Sequence, residues 1–112
     1  MNVSPREIAD QQLVAYNHHE LEAFCALFHK NAELFDLPSN TRVASGIDMI
    51  TDMYAKRFSN PDLKCVVHSK TDLADFAIDR ETLYGLPDGT TEIIAMYQIE
   101  GGLIRKVYFI RQ

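Results

Sequence analysis

The sequence predicts an α+β fold: a cone-shaped, curved, mostly antiparallel sheet wrapped around three N-terminal helices and enclosing a pocket. Three observations carry this. Helix start signals recur three times before residue 60, the apolar period changes to two from Leu63 onward, and short glycine turns join the later strands.

The first helix starts at Ser4-Pro5-Arg6-Glu7, a capping box with proline at the first helical position. Ile8, Ala9, Leu13 and Tyr16 then recur at helical spacing, and Asn17 is expected to end this helix and cap the next. Leu21, Phe24, Leu27 and Phe28 give the second helix a broad apolar stripe, with Asn31 as its stop. Ala32 to Leu37 reads as a short strand closed by Pro38, and residues 39–41 as a loop. Ser45 and Asp48 repeat the capping logic for a third helix lined by Ile47, Ile50, Tyr54 and Phe58, and Asn60-Pro61-Asp62 breaks it. Strands follow over Leu63 to Ser69, Asp75 to Tyr84, Glu92 to Glu100 and Leu103 to Arg111. Leu86-Pro87-Asp88-Gly89 and Gly101-Gly102 supply the turns, so the last three strands form an antiparallel meander.

With 112 residues and no linker or repeat, residues 1–112 are expected to form one domain. A net charge of −5 argues against general nucleic-acid binding, which needs a basic face. No apolar run approaches the roughly 18 residues of a membrane span. Met1 to Glu7 lacks the apolar core of a signal peptide, and a cytoplasmic location is the default expectation. Cys25 and Cys65 lie too far apart for a CxxC pair and read as buried thiols. The four histidines show no ligand spacing, so neither a metal nor an organic cofactor is expected.

Both faces of the late strands are apolar. Ile93, Ala95, Tyr97 and Ile99 share one face with Val107 and Phe109, whereas Ile94, Met96, Ile104, Tyr108 and Ile110 take the other. A two-sided apolar sheet in so small a chain implies an interior on one side and a homodimer interface on the other.

In this order of elements the chain resembles the nuclear-transport-factor-2-like superfamily, in particular its SnoaL-like and ketosteroid-isomerase-like branch. The resemblance rests on Val14-Ala15-Tyr16-Asn17, Leu21 to Phe28, Ala32-Glu33-Leu34-Phe35-Asp36, Gly46 to Ile50 and the closing Gly102 to Ile110. It implies a cone-shaped barrel, usually dimeric through its sheet, and leaves function open among isomerases, cyclases, hydrolases, dehydratases and binding modules. Ketosteroid isomerases combine an aspartate base with a tyrosine and a protonated aspartate. The resemblance sets Tyr16 at the tyrosine and Asp36 at the base, but Ala95 at the protonated acid, so half of the oxyanion hole is missing.

Asp36 and Tyr16 are therefore the candidate catalytic pair, an acid–base group and a polarising donor. Asp36 is an acid set among the apolar Leu34, Phe35 and Leu37; its other reading is a strand-end bond to the following loop. Tyr16 equally reads as a core tyrosine. Candidate ligand-binding residues are Phe24, Phe28, Ile50, Tyr54, Val107 and Phe109 as apolar walls, His68 on an interior strand, and Arg111 at the rim, where it could hold a carboxylate or phosphate. Two readings stand: a cofactor-free isomerase, cyclase or hydrolase acting on a small apolar molecule, or a non-catalytic dimeric module that binds a ligand or a protein.

Overall fold

The computed structural model describes residues 3–112. Helix α1 spans Pro5–Asn17, α2 Leu21–Cys25 and α3 Ile47–Phe58, with strands β1 (Phe28–Leu37) and β2 (Thr41–Ser45) between the last two. Strands β3 (Lys64–Leu73), β4 (Phe76–Tyr84), β5 (Thr91–Glu100) and β6 (Leu103–Arg111) complete one mixed sheet in the order β2-β1-β6-β5-β4-β3. All neighbours pair antiparallel except β1 and β6, which run parallel. The curved, unclosed sheet holds the helices against its concave face, where Phe24, Leu34, Ile50, Ile104 and Val107 are fully buried. No helix among the described residues is long and apolar enough to cross a membrane.

The start of α1 follows the capping signal. The Ser4 hydroxyl accepts from the Glu7 backbone N–H at 3.2 Å, and Pro5 occupies the first turn. Asn17 ends the helix but caps nothing. Its side chain instead clamps β3, Nδ2 donating to the Cys65 carbonyl at 2.9 Å and Oδ1 accepting from the Cys65 N–H at 2.7 Å. That clamp fixes the end of α1, and Tyr16 with it, against the sheet.

Helix α2 is shorter than its apolar stripe suggests. It stops at Cys25, and Phe28 opens β1 because the edge of β6 recruits the chain: Ile104 donates to the Leu27 carbonyl at 2.8 Å. Phe24 and Phe28 still meet, ring to ring at 5.1 Å, across the helix–strand junction. The expected loop after Pro38 is also shorter, since Thr41–Ser45 pairs back on β1 as β2. Helix α3 then starts from Gly46 rather than from a Ser45 cap; Gly46 has φ 88° and its N–H donates to the Ala32 carbonyl at 2.7 Å. At Gly85 the reason for glycine is close approach, because a Cβ there would lie 2.5 Å from the backbone of Asp62.

The meander forms as expected, with one change of face. A register irregularity between Gln98 and Ile99 turns Ile104 inward, where it is completely buried beside Val107. Ile94, Met96, Tyr108 and Ile110 remain on the convex face. Phe35 stacks on Tyr108 there at 5.3 Å, with Phe76 6.5 Å from the same tyrosine.

Candidate functional site

The concave side of the sheet encloses a cavity of about 170 Å³ between α1, α3 and the strands. Its polar groups fall into two sets. Tyr16, Cys65, Glu81 and Tyr97 are all buried, at 4–5% exposure, and form the inner end. Asp36 and Arg57 are half-buried, Arg111 is exposed, and the three form the mouth.

Strand alternation positions the inner acid. On β4, Ala77, Asp79, Glu81 and Leu83 share the concave face, opposite Tyr97, Ala95, Ile93 and Thr91 of β5. Asp79 is withdrawn from the cavity by Arg6 of α1, whose Nη1 donates to it at 2.6 Å. Arg6 also holds Asp72 at 2.8 Å, so this cluster ties α1 to β3 and β4. Burial nevertheless raises the Asp79 carboxyl above its ordinary range, against the pull of Arg6.

Glu81 has no such cation among the described residues. The Tyr97 hydroxyl approaches Oε1 at 3.4 Å, and the Cys65 thiol is the other neighbour steadying the charged form. These two do not offset desolvation. Burial, reinforced by the charge of Asp79, pushes the Glu81 carboxyl up to about 7. Burial likewise raises Tyr16, Tyr97 and Cys65, so all three stay protonated at neutral pH. The Tyr16 hydroxyl is buried with no hydrogen-bond partner among the described residues, a costly arrangement for a group that must donate. It lines the cavity, so a bound acceptor would satisfy it.

At the mouth, Arg111 Nη2 donates to Asp36 Oδ1 at 2.7 Å. Parallel pairing of β1 with β6 brings them together, setting Asp36 level with Phe109. Arg57 lies over the Tyr54 ring, 5.3 Å from its centroid.

Of the residues expected from the sequence, the structure gathers Tyr16, Asp36, Tyr54, Phe109 and Arg111 around this cavity. Phe24, Phe28, Ile50 and Val107 are not among its lining residues; they are core, buried because the aromatic cluster on Phe24 fills the space behind the cavity. His68 is exposed on β3 and bonds through Nε2 to Thr82 Oγ1 at 2.6 Å, on the face opposite Glu81. Sequence reasoning passed over Glu81. The signal for it was the Asp88-Gly89 turn: counted back from that hairpin, residues 79 and 81 face the apolar row of Ile93, Ala95 and Tyr97. Among the described residues no three His, Cys, Asp or Glu side chains converge as metal ligands would.

The SnoaL-like domain family matches residues 9–107, nearly the whole chain. The chain belongs to the SnoaL-like domain family. No curated protein is significantly similar to it in sequence. Its fold is that of nuclear-transport-factor-2-like proteins. Such a protein of unknown function from Cytophaga hutchinsonii shares 15% identity at a TM-score of 0.84, over 100% of this chain and 93% of its own. An uncharacterised cystatin-fold protein from Novosphingobium aromaticivorans reaches 0.87 at 21% identity, over 98% and 100%. A protein with a ketosteroid isomerase-like fold from Catenulispora acidiphila, in complex with trimethylamine, reaches 0.75 at 14% identity, over 96% and 85%. At these identities the likeness is one of fold. On that fold this SnoaL-like chain places Ala95 and Glu81 on the concave face, both buried.

Proposed function

We propose that this SnoaL-like protein binds a small carbonyl compound in the inner cavity and shifts a proton on it without a cofactor. One observation carries the reading: a buried carboxyl titrating near neutrality and an unpartnered buried hydroxyl line the same cavity. Asp36 was the base expected from the sequence, but Arg111 occupies one of its oxygens at the mouth. Glu81 is the better acid–base group, and Asp36 is assigned to the entrance.

Cavity size limits the ligand. A cavity of about 150 Å³ accepts benzene, whereas drug-sized ligands need about 300 Å³ or more. At about 170 Å³ the site suits a single ring, not a steroid. For a β,γ-unsaturated ketone, the Glu81 carboxylate takes the proton α to the carbonyl. The electron pair moves towards oxygen, and the resulting dienolate accepts a hydrogen bond from Tyr16. The same proton then returns at the γ carbon, leaving the conjugated ketone and restoring the carboxylate.

The test is conversion of 3-cyclohexenone to 2-cyclohexenone, followed by ultraviolet absorbance. Activity should rise with pH through about 7 as Glu81 ionises, and Glu81→Gln should lower it by about 10²–10⁴-fold. Full activity in Glu81→Gln together with loss in Asp36→Asn would return the role to Asp36. Binding of cyclohexenone without turnover would favour the non-catalytic module.

The convex face supports a second part of the proposal, a homodimer. Phe35, Phe76, Met96, Tyr108 and Ile110 form a continuous apolar surface there, the kind that a second copy covers.

A further inference from the structure

The mouth of the cavity opens into a vestibule of about 700 Å³, which shares Met53, Arg57 and Arg111 with it. The charge there runs against the rest of the molecule. Lys56, Arg57 and Arg111 face it, with Asp88 as the one acidic side chain among the described lining residues, although the whole chain carries −5. Asp36 lines the cavity and is bound to Arg111, which lines both spaces.

Arg57 is the informative cation. It is half-buried over the Tyr54 ring and makes no ion pair or side-chain hydrogen bond with any described residue. Lys56 and Arg57 also complement the C-terminal end of α3. An exposed side chain would serve that purpose as well; it does not require a guanidinium turned onto an aromatic wall of the cavity. Arg111 shows what such a group recognises here. Its guanidinium already holds a carboxylate, that of Asp36, at 2.7 Å.

We propose that the ligand of this cavity carries a carboxylate, held between Arg57 and Arg111 with Asp36 giving way, while its apolar body reaches inward to Tyr16 and Glu81. The inference rests on the small-molecule reading above and names its substrate class: a single-ring or short-chain acid. Asp36 then acts as an internal competitor that occupies Arg111 until the ligand arrives. Phosphate shares the oxyanion chemistry, but the group already seated on Arg111 is a carboxylate, and the assignment follows it.

The experiment is calorimetric titration of the full chain with benzoate, cyclohexanecarboxylate, their neutral amides and phenyl phosphate, at low and high salt. Far-UV circular dichroism checks that each variant is folded. The carboxylates should bind at least about 10-fold more tightly than the amides, the scale of a charge-assisted bond, and lose that advantage at about 1 M salt. Arg57→Gln should reduce the carboxylates to the level of the amides. Asp36→Asn should tighten them several-fold by freeing Arg111, an effect that a merely structural Asp36 would not give. Equal binding of acids and amides would overturn this inference and leave the small-molecule reading standing. Binding of neither class would overturn both. Tighter binding of phenyl phosphate would replace carboxylate with phosphate, and unchanged benzoate affinity in Arg57→Gln would refute the assignment to the vestibule.

Discussion

Replacing Glu81 with Gln should make the protein more stable above neutrality while removing its proposed activity. Glu81 is 4% exposed, and burial raises its carboxyl from the ordinary 4.5 to about 7. Between those values the unfolded chain has lost the proton and the folded chain retains it. The folded state therefore binds more protons, and stability falls as pH rises through this window. At about 1.4 kcal/mol per pH unit, the penalty is absent below pH 4.5 and amounts to about 3 kcal/mol once pH exceeds 7. A glutamine avoids it and can still accept from Tyr97, giving up about 1 kcal/mol of charge assistance. The net gain is about 2 kcal/mol at pH 8.5, or about 1 M in the urea midpoint at a slope of about 2 kcal/mol/M. Urea unfolding followed by far-UV circular dichroism at pH 4, 6 and 8.5 measures this, with protein concentration held fixed. A wild-type–variant difference that does not change with pH would refute the reasoning, as would a less stable variant at pH 8.5.

Three further outcomes test other contacts. Tyr16→Phe removes a buried hydroxyl with no partner, so thermal stability should hold or rise by about 1 kcal/mol while enone turnover falls about 10²-fold; a marked loss of stability would show that the hydroxyl is satisfied. Arg6→Ala strands the carboxylate of Asp79, 1% exposed, and should cost about 3–5 kcal/mol by urea unfolding at pH 7. That cost should shrink in acid, where Asp79 is protonated; a loss below about 1 kcal/mol at pH 7 would make the pair a surface-like contact. Met96→Arg, on the convex face, should sediment as a folded monomer while the unchanged protein should sediment as a dimer, and a wild-type monomer at high micromolar concentration would refute the interface.

Legibility in the sequence followed the range of the interaction that decided each feature. The Ser4 cap and the strand Leu103–Arg111 are set by neighbours in sequence, and both were readable. The end of α2 was not, because Leu27 and Phe28 fit an apolar helix stripe as well as a strand. A bond from Ile104, far along the chain, decides between them. Polar Thr41 and Arg42 concealed β2, which exists through pairing with β1. In the site, Asp36 was conspicuous among apolar neighbours, but its partner Arg111 depends on the parallel β1–β6 contact. Glu81 was inconspicuous in an ordinary amphipathic strand, and only its register against Ile93 turns it inward.

The concave side carries three carboxylates of interest, and what separates them is the cation each one has. Asp79 has Arg6, and Asp36 has Arg111. Glu81 has two neutral donors, Tyr97 and Cys65. An ion-paired carboxylate resists taking a proton, because protonation breaks the pair; an acid held by neutral donors near neutrality exchanges protons at little cost in either direction. On the proposed reading, this is how a chain with alanine at residue 95 would carry proton chemistry. The adjacent strand supplies an acid, Arg6 draws off its neighbour Asp79, and the remaining carboxyl faces an unpartnered tyrosine. A cation introduced beside Glu81, as in Leu83→Lys, would lower its carboxyl towards the ordinary range and leave a weaker base.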